Sequence, residues 1–386
     1  MVEIIEVKTR RQLKEFVLFQ HRLYENSPYF VPDLISDVMD LFTPEKNPAY
    51  EYCDAKCFLA VRDGKTVGRV AGIISRRFNE MWNANNMRFS RIDFIDDMEV
   101  SGALLATIER WAQQQGLNKV HGPIGFCDLD EEGMLIEGFD QMSMFFTMYN
   151  YPYYIDHMVA HGYIKDSDWV EYRVKVPEQV DERLIRLSDA VQKRSKVRLF
   201  EPKNSRDIVR YLPDILKMYN KAYAPLYGFV PLTDRHLEKY YNQFKMLVNY
   251  DYIRLLFDKE DKIIGFGLGI PSLSETARKI KGRLFPFGWY HLLKTAHKSD
   301  CEVLDLYLVG VVPEMQAKGM TAVLMQSMIS SAIKHGVRYA ETGPELEDNE
   351  KVRALWKEFD VNQHKRRRCW LRMIDGSEPP PPEHKL

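Results

Sequence analysis

The pattern of apolar and polar positions is clearest between residues 303 and 335, VLDLYLVGVVPEMQAKGMTAVLMQSMISSAIKH. Residues 303–312 are apolar and rich in β-branched side chains, which predicts a buried strand, and Pro313 and Gly319 then break the run. Beyond the break, Val323, Leu324, Met328, Ile329, Ala332 and Ile333 recur near helical spacing until Gly336, so a helix is predicted there. A short strand over 337–341 follows. Alternation around turn residues predicts two hairpins, over 56–74 with a turn at Asp63-Gly64-Lys65 and over 252–270 with a turn at 259–262. After each comes an irregular stretch, a strand, a helix ending in glycine (Gly116, Gly336) and a short strand leading into Gly-Pro (Gly122-Pro123, Gly343-Pro344). The same elements in the same order predict a tandem duplication. The expected fold class is α/β (α+β), with one domain over 1–177 and a second over 178–375. The Pro-rich tail, 376–386, is expected to be disordered.

Between the strand and the helix lies Gln316-Ala317-Lys318-Gly319-Met320-Thr321. Gly319 lets the backbone turn, Lys318 adds positive charge, and the first amides of a helix have no intrahelical acceptor. Such a helix start attracts an anion by ~0.3–1 kcal/mol per exposed charge, which predicts a phosphate-binding loop. It is not a triphosphate P-loop or a dinucleotide fingerprint, because neither glycine spacing is present. The first-half counterpart, 94–102, carries Asp96, Asp97 and Glu99 and no basic residue, so a diphosphate would be repelled there. The second half is therefore expected to bind the phosphates, and residues 1–177 to shape the substrate or the structure.

This loop resembles the acyl-coenzyme A loop of the GNAT acyltransferase superfamily, Gln/Arg-x-x-Gly-x-Gly/Ala after a strand ending in Val-x-Pro. Here Val311-Val312-Pro313 ends the strand and Gln316-x-x-Gly319-x-Thr321 forms the loop, with Thr321 in place of a small residue. Residues 349–356 are similar to a second motif, Asn-x-x-Ala-x-x-Leu-Tyr, with Val352 for Ala and Trp356 for Tyr. That Tyr is the general acid in many members, and an indole cannot replace it because it does not give up its proton. The resemblance implies two tandem GNAT-like domains, each a mixed, mostly antiparallel twisted sheet flanked by helices. It also implies direct acyl transfer, with acetyl foremost, from an acyl-CoA to the amine of a small molecule or peptide. The implied acetyl-CoA (acyl-CoA) contacts are Val309, Val311, Gln316, Ala317, Lys318, Gly319, Met320, Thr321 and Asn349. Alternation along the strand is expected to put Asp305, Tyr307, Val309 and Val311 on one face. Asp305 is then the candidate base and Tyr307 the candidate acid, with Glu341 and Glu345 as other bases; Asp305 could equally be a salt-bridged carboxylate. Tyr223, Tyr227 and Phe229 are candidates for a substrate wall or for plain core.

Composition narrows the alternatives. The 386 residues are 45% hydrophobic and 28% charged with a formal net charge of -1, so no overall field draws nucleic acid or an anionic membrane. No apolar run reaches bilayer-spanning length and the first residues lack a signal peptide's apolar core, so a cytoplasmic protein without a membrane partner is expected. Cys53, Cys57, Cys127, Cys301 and Cys369 are odd in number and scattered, which suits free thiols, and no metal is expected. Asp128, Asp130, Glu131 and Glu132 form either a solvated loop or a grip for a cation. The phenols of 149–154 line a cleft or pack a turn, and the basic runs 278–283 and 365–368 read as solvated faces or contacts for a coenzyme phosphate. Two other functions stay open. One is tRNA-dependent aminoacyl transfer on the tandem scaffold, which predicts a basic cleft; the other is a catalytically silent acyl-CoA-binding protein, suggested by Thr321 and Trp356.

Overall fold

The hairpins and the strands that follow them join one continuous sheet, as seen in a computed structural model that describes residues 1–298 and 300–379. In the first half the strands are β1 (Glu3–Glu6), β2 (Cys53–Arg62), β3 (Lys65–Ser75), β4 (Asn86–Phe94), β5 (Lys119–Gly122), β6 (Met134–Glu137) and β7 (Ile164–Lys175). In the second they are β8 (Arg198–Phe200), β9 (Ile253–Phe257), β10 (Ile263–Pro271), β11 (Val303–Val311), β12 (Tyr339–Thr342), β13 (Glu345–Leu346) and β14 (Val361–Met373). Their order is β1-β2-β3-β4-β5-β14-β7-β12-β11-β10-β9-β8, with β13 on β7 and β6 on β14. Among the described residues only β4·β5 and β11·β12 pair in parallel, so the sheet is mixed and mostly antiparallel. Of the tail expected to be disordered, residues 380–386 lie outside the described residues.

The last strand of each half crosses over. β14 lies between β5 and β7, and β7 lies between β14 and β12, so each half completes its sheet with the other's final strand. The exchange overturns the solvated reading of 365–368. Lys365 and Arg367 are fully buried and both pair with Glu171 on β7, the Lys365 ammonium at 3.1 Å. A buried charge persists only when paired, and here the partner comes from a distant strand.

Helices cover the sheet where the periodicity predicts them. Helix Met98–Gln114 buries Leu104, Leu105, Ile108 and Ala112 against the first half, and helix Met320–Lys334 buries Val323, Leu324, Met328 and Ala332 against the second. Gly267 allows the closest approach, since a Cβ there would come within 2.5 Å of the Met328 sulfur.

Two local features depart from the expected pattern. Pairing between β10 and β11 slips at Leu268/Gly269, leaving Tyr307 without a register partner. Such a bulge resets alternation. Val309 and Val311 therefore turn with their partners Gly267 and Gly265 toward helix Met320–Lys334, where those glycines approach Met328 and Leu324. They do not share a face with Asp305 and Tyr307, as strict alternation had implied. The second feature is the connection from β10 to β11, which holds two helices, Ser274–Ile280 and Gly288–Ala296, where the first half has only Arg76–Met81.

Candidate active site

β11 and β12 run together from Val303↔Tyr339 to Leu306↔Thr342, after which β13 pairs with β7 instead, and a wedge opens beside Tyr307. Asp305 and Tyr307 line one narrow recess there with Phe145, Phe146, Leu247, Ile270 and Leu273, and the Phe146 ring stands edge-on to Tyr307 at 4.5 Å. Asp305 is 3% exposed, and its Oδ1 has no hydrogen-bond partner among the described residues. Burial above all, and then the nearby Glu341, push its carboxyl up to about 8, against a hydrogen bond from Ser272 and the charge of Lys365. Glu341 itself is engaged, bonding Arg173 at 2.6 Å with Lys365 at 3.6 Å.

Glu345 sits across the wedge. Burial pushes its carboxyl up to about 8, opposed by the Trp356 indole, which donates to it at 2.8 and 3.1 Å. Trp356 is thus a buried donor that orients a carboxylate. Burial, with Asp130, Cys127 and Glu131 adding, raises the Tyr307 phenol, so it stays protonated across the ordinary pH range. The Tyr223 hydroxyl donates to the Val309 carbonyl at 3.1 Å.

The predicted phosphate loop closes this end of β11. Gly319 has φ of +82°, and no side chain caps helix Met320–Lys334. The amides of Met320 and Thr321 in the first turn therefore have no intrahelical acceptor. Gln316 donates its side-chain amide to the Val311 carbonyl at 3.1 Å, while Ala317 and Lys318 are exposed. Asn349 is spent locally, its side chain accepting from the Val352 amide at 3.3 Å as the cap of helix Glu350–Leu355. Phe229 is fully buried against Tyr219, and the Tyr227 hydroxyl donates to Asp166 at 2.5 Å beside His121. Of the three aromatic wall candidates, Tyr223 alone bonds β11. The carboxylate of Asp166, with His121 and Cys369, forms a group whose donor atoms lie within 4.8 Å of one another. It is tied internally by Tyr227, which reaches all three members.

The first half repeats the wedge and closes it. β4 and β5 pair in parallel from Asn86↔Lys119 to Arg88↔His121, so Arg88 stands in the register position of Asp305. Its guanidinium donates to the carbonyls of Gly125, Phe126 and Gly228, holding loops of both halves together. Phe94 pairs with Gly68 as Val311 pairs with Gly265. Yet its amide donates to the Tyr154 hydroxyl at 3.1 Å and its carbonyl accepts from Tyr153 at 2.5 Å. At the following helix start, Asp97 accepts from the amides of Glu99 and Val100. A carboxylate of the chain itself fills the anion position there, and the Tyr-rich run 149–154 supplies a plug.

The acidic loop is not a solvated face. Asp128 accepts from Tyr219, and burial above all pushes its carboxyl up to about 6. Asp128 Oδ1 and Glu132 Oε2 are buried without a hydrogen-bond partner among the described residues. Burial, reinforced by Asp128, raises the Glu132 carboxyl well above its ordinary range. This loop faces Tyr219, Tyr223 and Tyr307 of the second half, whose phenols are raised by burial first and then by its negative charges. A superposition of the two half-sequences would have found Arg88 opposite Asp305, but the meeting of loop 128–132 with the wedge depends on how the halves dock.

No family model matches the chain. A protein called YghO from Escherichia coli (strain K12) is 27% identical over 370 residues, covering 95% of this chain and 94% of its own. A bacterial ceramide synthase from Caulobacter vibrioides (strain NA1000 / CB15N) is 26% identical over 326 residues, covering 82% of each chain. A tandem GNAT protein from the clavulanic acid biosynthesis pathway is similar in structure, with a TM-score of 0.55 and 13% identity, over 98% of this chain and 100% of that one.

Proposed function

The chain has a tandem GNAT fold, and from it we propose an acyl-CoA-dependent N-acyltransferase that joins a long-chain acyl group to the amine of a long-chain amino alcohol. The fold supports acyl transfer in general. The observation that carries the reading is the uncapped helix start at Gly319 beside a wedge holding a buried Asp305 whose Oδ1 has no hydrogen-bond partner among the described residues, while both positions are filled in the first half. For the acceptor and the chain length, support comes from the name of the Caulobacter relative, since a ceramide is a fatty amide of a long-chain amino alcohol. The proposed donor is accordingly a fatty acyl-CoA, where the loop resemblance implies an acetyl donor.

The amine nitrogen attacks the thioester carbonyl carbon, the C–N bond forms and the C–S bond breaks. Asp305, once ionised, takes the proton the nitrogen sheds. The leaving thiolate gains one from Tyr307, whose phenol is protonated at working pH. The incoming ammonium must first lose a proton to solvent, and Asp128, ionised above about pH 6, draws that cation into the cleft. Glu345, oriented by Trp356, is the second carboxylate within the wedge.

The test is thiol release by the purified full chain with donors from acetyl- to palmitoyl-CoA and amines from short alkylamines to sphinganine. Turnover rising with both chain lengths supports the proposal. Acetyl transfer to short amines alone would overturn the substrate assignment, and donor binding without thiol release would make the protein a silent binder.

A further inference from the structure

Residues 278–298, RKIKGRLFPFGWYHLLKTAHK, hold six lysines and arginines and no carboxylate, in a chain whose net charge is -1. They make up most of the insertion between β10 and β11. Its inner side is anchored, since Ile280, Leu284, Leu292 and Ala296 pack around the cluster that contains Leu273 and Tyr307, and the Gly282 carbonyl accepts from the Ile35 amide at 3.0 Å. The tip points the other way. Phe285 is 82% exposed, Phe287 68%, Trp289 46% and Tyr290 53%, four large rings within six residues. Scattered apolar residues on a surface need no explanation, but a contiguous aromatic group does. The Trp289 indole N–H is satisfied inside the tip by the Pro286 carbonyl at 3.1 Å, so the ring can leave water without stranding a donor. Lys281, Arg283 and Lys294 are exposed and have no ion-pair partner among the described residues.

We propose that this insertion docks on an anionic lipid bilayer, seating Phe285, Phe287, Trp289 and Tyr290 at the headgroup boundary while Lys281, Arg283 and Lys294 meet lipid phosphates. Aromatic rings flanked by cations match that interface in both polarity and charge. Among the described residues no helix is long and apolar enough to cross a membrane, so the contact lies on the surface. The sequence alone argued against a membrane partner because the cations are diluted by carboxylates elsewhere in the chain. One consequence rests on the proposed function: the inner side of the same insertion borders the recess of Asp305 and Tyr307, so docking would deliver a long-chain amine from the bilayer to the wedge.

Flotation of the full-length protein with phosphatidylcholine vesicles, with and without phosphatidylglycerol, tests the docking. Binding should require the anionic lipid, weaken with salt, and fall roughly fivefold for each cation neutralised in Lys281→Gln and Lys294→Gln. The triple change Phe285→Ser, Phe287→Ser, Trp289→Ser should lower it by on the order of tenfold or more, with the melting temperature unchanged because the rings are exposed. Absence of wild-type flotation, or equal flotation of the triple variant, would overturn the proposal. So would a concentration-dependent dimer that the triple variant abolishes, which would assign the patch to a second copy. Thiol release without vesicle binding would overturn docking alone; vesicle binding without thiol release from any amine would overturn the transferase and leave docking standing.

Discussion

Replacing Asp305 by asparagine separates what this carboxyl costs the fold from what it does in the reaction. Burial and Glu341 raise it from 3.8 to about 8 in the folded chain. In the unfolded chain it ionises near its ordinary value, so from about pH 4 to about pH 8 the folded state keeps a proton that the unfolded state has released. The stability tied to that proton is complete below about pH 4, falls as the pH rises, and is gone above about pH 8. At about 1.4 kcal/mol for each pH unit, the wild type loses on the order of 4 kcal/mol between about pH 5 and about pH 8 through this group. Asparagine has nearly the same shape and no charge to lose. Urea unfolding of the full chain should therefore give curves that nearly meet at the acid end, with Asp305→Asn the more stable protein at the alkaline end. Glu345, Glu131 and Glu132 are also raised by burial, and their contributions to both proteins cancel largely in the difference. The same variant should lose ~10²–10⁴ in turnover, and with it the rise of kcat/KM through about pH 8. Parallel unfolding profiles would refute the raised, buried carboxyl. Unchanged turnover would refute its role as base, and either result can occur without the other.

Lys318→Glu should weaken acyl-CoA binding by about tenfold at low salt, read by calorimetry, because it reverses an exposed charge beside the uncapped helix start; an unchanged dissociation constant would move the donor elsewhere. A change at Gly319 would be a poorer probe, since φ of +82° and a Cβ 2.9 Å from Val191 strain any side chain there. Trp356→Phe removes a hydrogen bond that holds the Glu345 carboxyl down, so that group should ionise above about 8 and, if it serves as a base, the rising limb of the rate profile should move to higher pH; an unmoved limb would exclude Glu345 as a base. Calorimetry on the full chain should find one acyl-CoA per chain, and a second stoichiometric site would contradict the plug made by Tyr153, Tyr154 and Asp97.

What was legible in the sequence is what local spacing controls. Strand 303–312, the helix ending at Gly336, both hairpins and the duplicated order of elements all appear within a residue or a few of their expected bounds. The bulge at Tyr307 was not legible, because one extra residue in a strand leaves composition untouched while turning Val309 and Val311 to the other face. Nor was the strand exchange. β7 and β14 satisfy the same backbone hydrogen bonds whichever neighbour they meet, and only the docked halves decide. The charged residues show the same limit most sharply. Lys365 and Arg367 read as surface, and they are buried because Glu171 reaches them from far along the chain; Arg88, which no sequence pattern singled out, is buried because loop carbonyls of both halves reach it. The plug of Tyr153 and Tyr154 was visible as an aromatic run, but its target, the backbone of Phe94, was not.

The exchange also bears on why one wedge is open and the other closed. The pKa of Asp305 on β11 is raised by burial above all and then by Glu341 on β12, and lowered by Lys365 on β14, and Lys365 is held in turn by Glu171 on β7. The proposed base is thus tuned by a cluster that neither half could assemble alone. On the other side of the junction the register position of Asp305 belongs to Arg88, which uses its donors to fasten loop 125–126 to Gly228. That fastening sets the acidic loop against Tyr219 and the mouth of the open wedge. A carboxylate at Arg88 would release the loop that borders the open wedge, so under the proposed function the cleft of the second half depends on an arginine of the first.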